Sequence, residues 1–192
     1  GFRPYIYNAC TALGLKGYVQ NIGDGVIVVV DKRDALTKIL SHPPPLARID
    51  WVGCKEVKGS YQEFTIKKST GAGFAEVPPD LFMCADCERE LRDPKNRRHQ
   101  YWFISCTNCG PRYSMITGTP YDRPYTSMKH FEMCDECTQE YENPQDRRYH
   151  AQTIACPKCG PKLVLRDKHG NEIGGIKEAA GKIMQGEIIA IK

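Results

Sequence analysis

The sequence predicts an α+β protein in three successive parts: a mixed α-β-β-α-β-β segment, two copies of a small cysteine-rich module, and the first helix and strand of a further α/β unit. Three observations predict this. Residues 1–68 alternate helix-period and strand-period apolar patterns between turn residues. Eight of the ten cysteines fall in four C-x-x-C pairs. Those pairs, and much of the sequence around them, recur fifty residues later.

In the first part, Pro4 to Leu13 reads as a helix with Tyr7, Ala9-Cys10 and Leu13 on its inner face, ended by Gly14. Lys16 to Asn21 and Gly25 to Asp31 read as strands around the turn Ile22-Gly23-Asp24. Asp34 to Ser41 reads as a second helix, stopped by Pro43-Pro44-Pro45. Strands are expected over Arg48 to Val57 and, after Gly59-Ser60, over Tyr61 to Lys67. This order is that of a βαββαβ ferredoxin-like fold with an added edge strand, less its first strand. Ser69 to Pro79, with Gly71, Gly73, Pro78 and Pro79, reads as a linker. Beyond the repeats come the polar turn Asp167 to Asn171, a helix over Ile176 to Gln185 and an apolar strand over Glu187 to Ile191. The expected parts are therefore 1–68, a linker over 69–80, modules over 81–114 and 131–164 joined by a connector over 115–130, and the start of another domain over 165–192.

The repeat pairs Cys84, Cys87, Cys106 and Cys109 with Cys134, Cys137, Cys156 and Cys159. Met83, Glu90, Pro94, Arg97-Arg98, Ile104 and Gly110-Pro111 also have identical counterparts fifty residues on. Each copy is C-x₂-C-x₁₈-C-x₂-C. The two-residue gap points two sulfurs at one metal, and the 18-residue excursion brings the second pair back to face the first. Four thiolates fill a tetrahedral Zn²⁺ shell and leave no open position, which makes the two sites structural. Sulfur disfavours Mg²⁺ and Ca²⁺, and iron suits this spacing less well. Binding worth about 10–16 kcal/mol in comparable zinc peptides would supply most of the folding free energy of so small a module. Sequential pairing, one Zn²⁺ per copy, keeps each unit self-contained; pairing interleaved across copies is the alternative. His99 and His150 lie within the excursions and read as surface residues rather than ligands.

Outside the repeat, Cys10 and Cys54 read as small buried apolar groups, and His42, His130 and His169 as solvated. Tyr101-Trp102-Phe103 reads as packing within the module rather than as a base-stacking platform. The longest apolar run, Val26 to Val30, is too short to cross a bilayer. Residues 84–161 carry 11 residues of each charge sign, and eight thiolates holding two Zn²⁺ would take that region to −4. A phosphate-backbone binder shows the opposite sign, so no nucleic-acid partner is expected. A tandem zinc ribbon binding nucleic acid, and an inert zinc-stabilised scaffold, are the competing readings.

Arg3, then Leu13-Gly14-Leu15-Lys16-Gly17-Tyr18-Val19-Gln20-Asn21 and Asp24-Gly25, resemble the acylphosphatase signature. That resemblance implies that Arg3 grips a phosphoryl group and Asn21 places the attacking water. It also implies that the first strand and most of the phosphate loop precede Gly1, so that residues 1–192 alone should turn over acyl phosphates weakly. Followed by Cys109-Gly110-Pro111-Arg112-Tyr113, Pro120-Tyr121-Asp122-Arg123 and Asp146-Arg147-Arg148-Tyr149-His150-Ala151-Gln152, the chain resembles the HypF family of [NiFe]-hydrogenase maturation carbamoyltransferases along its whole length. Ile188-Ile189-Ala190-Ile191-Lys192 resembles the start of that family's YrdC-like domain. The resemblance implies a cytoplasmic enzyme that hydrolyses carbamoyl phosphate to carbamate, adenylates it with ATP and passes the carbamoyl group to the C-terminal cysteine of a HypE-type maturation protein.

Two Zn²⁺ per chain, each with four sulfur ligands at about 2.3 Å, are expected from X-ray absorption and metal analysis. A stoichiometry near one, or nitrogen in the shell, overturns the assignment. With self-contained modules, Cys106→Ser should cost only the first zinc; simultaneous loss of both would report interleaving or strong coupling.

Overall fold

The turn at Leu13-Gly14-Leu15 shows how the chain enters its first sheet. Helix α1 (Phe2–Ala12) is capped by Leu13, and Gly14 takes φ +63°. The Gly14 N–H donates to the Thr11 carbonyl and the Leu15 N–H to the Cys10 carbonyl, the paired bonds of a Schellman cap. Leu15 is thereby buried while Leu13 is 56% exposed, so Leu13 leaves the inner face expected for it. Ile6 and Cys10, one turn apart on α1, are fully buried instead.

This is a computed structural model describing residues 1–23, 25–44, 47–70 and 80–191. Most of the expected linker, from 71 to 79, lies outside the described residues, as do Asp24, Pro45, Leu46 and Lys192. The chain divides into two units, Gly1–Gly160 and Pro161–Lys192.

In the first unit, strands β1 (Gly17–Ile22) and β2 (Gly25–Val30) form an antiparallel hairpin, with Gly17 opposite Val30 and Val19 opposite Val28. Helix α2 (Arg33–Leu40) comes next, then strand β3 (Phe64–Ile66), which pairs parallel to β1 with Val19 opposite Ile66. The order β2-β1-β3 makes β1 central, and Val19 is fully buried there. Ile6, Cys10, Leu15, Val19, Ile39 and Phe64 form one core between the sheet and the two helices. Gly17 is fixed by sterics: at φ +144° a Cβ would lie 1.9 Å from the Val29 carbonyl oxygen.

Two expectations fail in this part. Arg48 to Val57 forms no strand, and Trp51, Val52 and Val57 are exposed. Trp51 and Val52 are adjacent and followed by Gly53, so the stretch lacks the period-two pattern that buries one strand face. Cys54 is exposed on the same stretch, whereas Cys10 is buried as expected.

The modules each begin with a short helix, α3 (Ala85–Arg92) and α4 (Asp135–Glu142). Short 3₁₀ turns at Thr107–Cys109, Tyr113–Met115, Arg123–Tyr125 and Ser127–His130 lie between those helices. Cys87, Leu91, Tyr101, Ile104, Met128 and Ala155 pack one core, and Cys137, Ala151, Ile154 and Cys156 a smaller one. Of the aromatic run, Tyr101 is buried and Phe103 partly so, but Trp102 is 52% exposed and packs no core.

The second unit holds a hairpin of β4 (Leu165–Arg166) and β5 (Glu172–Gly174), closed by Asp167 accepting from the His169 and Asn171 N–H groups. Helix α5 (Ile176–Met184) comes after it, with the Glu178 carboxylate accepting from the Gly175 N–H at its start. The strand expected over Glu187 to Ile191 does not form, and Ile188 is fully exposed. A lone strand has no ladder to satisfy its backbone. No helix among the described residues is long and apolar enough to cross a membrane.

Candidate metal centres and the Arg3 site

Each C-x-x-C is set by a helix start. Cys84 and Cys134 cap α3 and α4 in extended conformation, at φ −72°, ψ 159° and φ −72°, ψ 165°, which puts Cys87 and Cys137 in the first helical turns. The partial positive charge at a helix start favours thiolate there. The second pair closes a 3₁₀-type turn in each copy, the Cys109 N–H donating to the Cys106 carbonyl and the Cys159 N–H to the Cys156 carbonyl. Even the unusual backbone is duplicated: Gln100 and His150, fifty apart, have φ +56° and +54°.

The four Sγ atoms of Cys84, Cys87, Cys106 and Cys109 lie within 4.8 Å of one another, and so do those of Cys134, Cys137, Cys156 and Cys159. Neighbouring sulfurs are 3.6 to 3.8 Å apart in both groups. A tetrahedron with 2.3 Å zinc–sulfur bonds has edges of about 3.8 Å, so the donor set fits structural Zn²⁺ in both. The groups form within each copy. His99 and His150 belong to neither, and His150 is half-buried between Tyr141 and Tyr149, not on the surface.

What sequence reasoning missed is the exchange between the copies. Arg97 and Arg98 reach out of the first module to Glu140 on α4, and Arg147 and Arg148 reach out of the second to Glu90 on α3. Arg97 also donates to the Cys137 sulfur at 3.3 Å, and Arg147 to the Cys87 sulfur at 3.0 Å. The Arg98 Nε donates to the Ala155 carbonyl at 2.8 Å, and the Arg148 Nε to that of Ser105 at 3.1 Å. Each of these contacts has its counterpart fifty residues away, the pattern of a twofold, self-complementary interface within one chain. A Zn²⁺ with four thiolates carries −2, so each copy's arginine offsets charge on the other copy's cluster. The signal was in the sequence: Glu90, Arg97 and Arg98 recur with the cysteines, although most of the excursion does not.

Arg98 is 1% exposed and Arg148 is buried, so their carboxylate partners matter. Burial would raise the Glu140 carboxyl, but hydrogen bonds and charge from Arg98 and Arg97 outweigh it and hold it at about 2.

Arg3, in the first turn of α1, is 9% exposed. It donates to the Ser69 Oγ at 3.1 Å and pairs with Asp122 at 2.7 Å. The main-chain carbonyl of Asn21, near the end of β1, accepts the Thr70 N–H at 3.0 Å. Adjacent residues Ser69 and Thr70 thus tie the two candidates to one stretch of backbone. Beside Arg3, burial and then the arginine charge lower His150 to about 4, with Asp122 opposing, so the ring is neutral at physiological pH.

Fold and sulfur geometry together define an acylphosphatase-type domain joined to a tandem zinc-finger region. The Acylphosphatase family model matches residues 1–66, and the HypF finger model matches twice, over 83–116 and 133–166. The chain belongs to the HypF family. It is 45% identical to the carbamoyltransferase HypF2 of Cupriavidus necator and 43% identical to the carbamoyltransferase HypF of Rhodobacter capsulatus, in each case over the whole chain but 25% and 27% of the relative. A crystal structure of full-length HypF in a phosphate- and nucleotide-bound form matches with a TM-score of 0.88 at 43% identity, over 97% of this chain and 26% of that one. The crystal structure of T. kodakarensis HypF matches with a TM-score of 0.81 at 43% identity, over 96% and 24%. The chain spans about a quarter of the length of these proteins.

The exchange makes the modules one folding unit, so Cys106→Ser is expected to weaken zinc retention at both sites, not one. Glu140→Gln should destabilise by about 3 kcal/mol at pH 7, because it leaves buried Arg98 without its counter-charge. The Glu140 pKa lies below its ordinary 4.5, so this stabilisation is complete above about pH 4.5 and is lost as pH falls towards 2. Denaturant titration with zinc analysis reads both effects; unchanged stability at pH 7 contradicts the clamp.

Proposed function

We propose that this chain contributes the acyl-phosphate and zinc-binding portions of a hydrogenase-maturation carbamoyltransferase. The observation that carries this reading is the order of parts, an acylphosphatase match followed by two finger matches, aligned end to end with carbamoyltransferases. Arg3 binds phosphoryl oxygens of carbamoyl phosphate through its fork of N–H donors. Asn21 orients a water for attack on phosphorus. The bond between phosphorus and the carbamate oxygen breaks, carbamate leaves with the electron pair, and the water's oxygen and protons remain with phosphate.

Carbamate then goes to ATP-dependent adenylation and transfer to a HypE-type partner, steps to which no residue of this chain is assigned. Cys84, Cys87, Cys106, Cys109, Cys134, Cys137, Cys156 and Cys159 ligate two structural Zn²⁺. The thiolates need a reducing compartment, in keeping with a cytoplasmic protein. The twofold clamp consumes arginines 97, 98, 147 and 148 internally, which supports the absence of a nucleic-acid partner.

Arg3→Ala and Asn21→Ala are each expected to lower acyl-phosphate hydrolysis by at least a hundredfold, with two zincs retained. Assay of carbamoyl phosphate and acetyl phosphate turnover in the full-length protein decides it. Wild-type rates in either variant refute the assigned roles.

A further inference from the structure

The Arg3 guanidinium meets the zinc region before it meets any substrate. Its partner Asp122 belongs to the segment joining the two modules, and that segment is pinned from the zinc side. The Arg123 main-chain N–H donates to the Gln152 side chain at 2.8 Å. Its guanidinium donates to the carbonyls of Gln152 at 3.0 Å, Ile154 at 2.9 Å and Phe131 at 2.6 Å. These anchors flank the cysteines of the second copy, so the folded zinc region sets the position of Asp122.

The consequence for Arg3 lies in its donor count. A guanidinium has five N–H groups in a rigid plane. Asp122 takes one from one terminal nitrogen and Ser69 takes one from the other. Fixing both nitrogens fixes the plane, and among the described residues the other three donors take no partner, which leaves them for an incoming anion. An arginine held this way loses less freedom when it binds than one that must first be ordered. Asp122 also balances a cation that is nine-tenths buried while the site awaits its ligand.

We propose that Asp122 is a positioning residue of the acyl-phosphate site: the segment between the zinc modules orients Arg3 towards the phosphoryl group, so the site is completed by the zinc region. This rests on the reading of Arg3 given above. Asp122 touches Arg3 and not the reacting atoms. The opposite role, a carboxylate that competes with phosphate for Arg3, makes the opposite prediction.

The test compares wild type, Asp122→Ala, Asp122→Asn, Arg3→Ala and the double variant Arg3→Ala with Asp122→Ala in the full-length, zinc-loaded protein. Acetyl phosphate hydrolysis and inorganic phosphate binding are measured beside zinc content and melting temperature. Asp122→Ala should lower kcat/KM and phosphate affinity about tenfold with both zincs kept. Asp122→Asn, which keeps an acceptor oxygen, should recover part of the loss. In the Arg3→Ala background, removal of Asp122 should change phosphate affinity less than twofold, because Asp122 acts through Arg3. Wild-type behaviour of Asp122→Ala, tighter phosphate binding, or a full additive loss in the double variant overturns the positioning role. Loss of zinc from both Asp122 variants overturns it too, in favour of a purely structural part. If Arg3→Ala itself hydrolyses and binds phosphate like wild type, the acyl-phosphate reading of Arg3 fails, whatever Asp122 does.

Discussion

The zinc region depends on arginines that leave their own module. Two clusters of four thiolates bring concentrated negative charge into modules too small to surround it with an apolar core. Glu90 and Glu140 add to that charge, and Arg97, Arg98, Arg147 and Arg148 from the opposite copy offset most of it. Remove the exchange and Arg98 and Arg148 become buried cations with no partner, the costliest kind of defect in a protein interior. The metal organises each copy, and the arginines make the two copies one body.

That body in turn bears on the acylphosphatase part. Its core is modest, among the described residues six buried side chains between a three-stranded sheet and two helices. Arg3 on Asp122 and Tyr7 on Tyr149, at 5.4 Å between rings, join it to the zinc region within the same unit. The side chain proposed to bind phosphate is thus anchored from outside the sheet and helices of its own part. An isolated acylphosphatase-type domain would have to order that arginine by other means.

Much of this was legible in the sequence for identifiable reasons. The ligands were visible because two-residue gaps and a fifty-residue offset are discrete features that no propensity scale needs to weigh. α1, α2 and the β1–β2 hairpin were visible because Gly14, Gly23 and the prolines after Ser41 mark their ends. The strand expected over Arg48 to Val57 was not there, since β propensity without alternation does not bury a face. Leu13 left the inner face expected for it because the Schellman turn, and not the helical period, decides which leucine beyond Ala12 points inward. The arginine exchange was out of reach for a different reason. The repeat identified the residues, but only the approach of the two copies decides whether Arg97 serves its own module or the other.

The fifty-residue symmetry also bears on how such a chain can change over generations. Because Glu90 answers to the second copy's arginines and Glu140 to the first's, neither copy can drift alone at these positions. Reversal of charge in one must be matched across the interface, while Leu91 and Tyr141, or Gln100 and His150, have been free to become different residues. A single ancestral module would have found the same complement in a second molecule of itself. Fusion of two such units replaces an encounter that depends on concentration with one that does not.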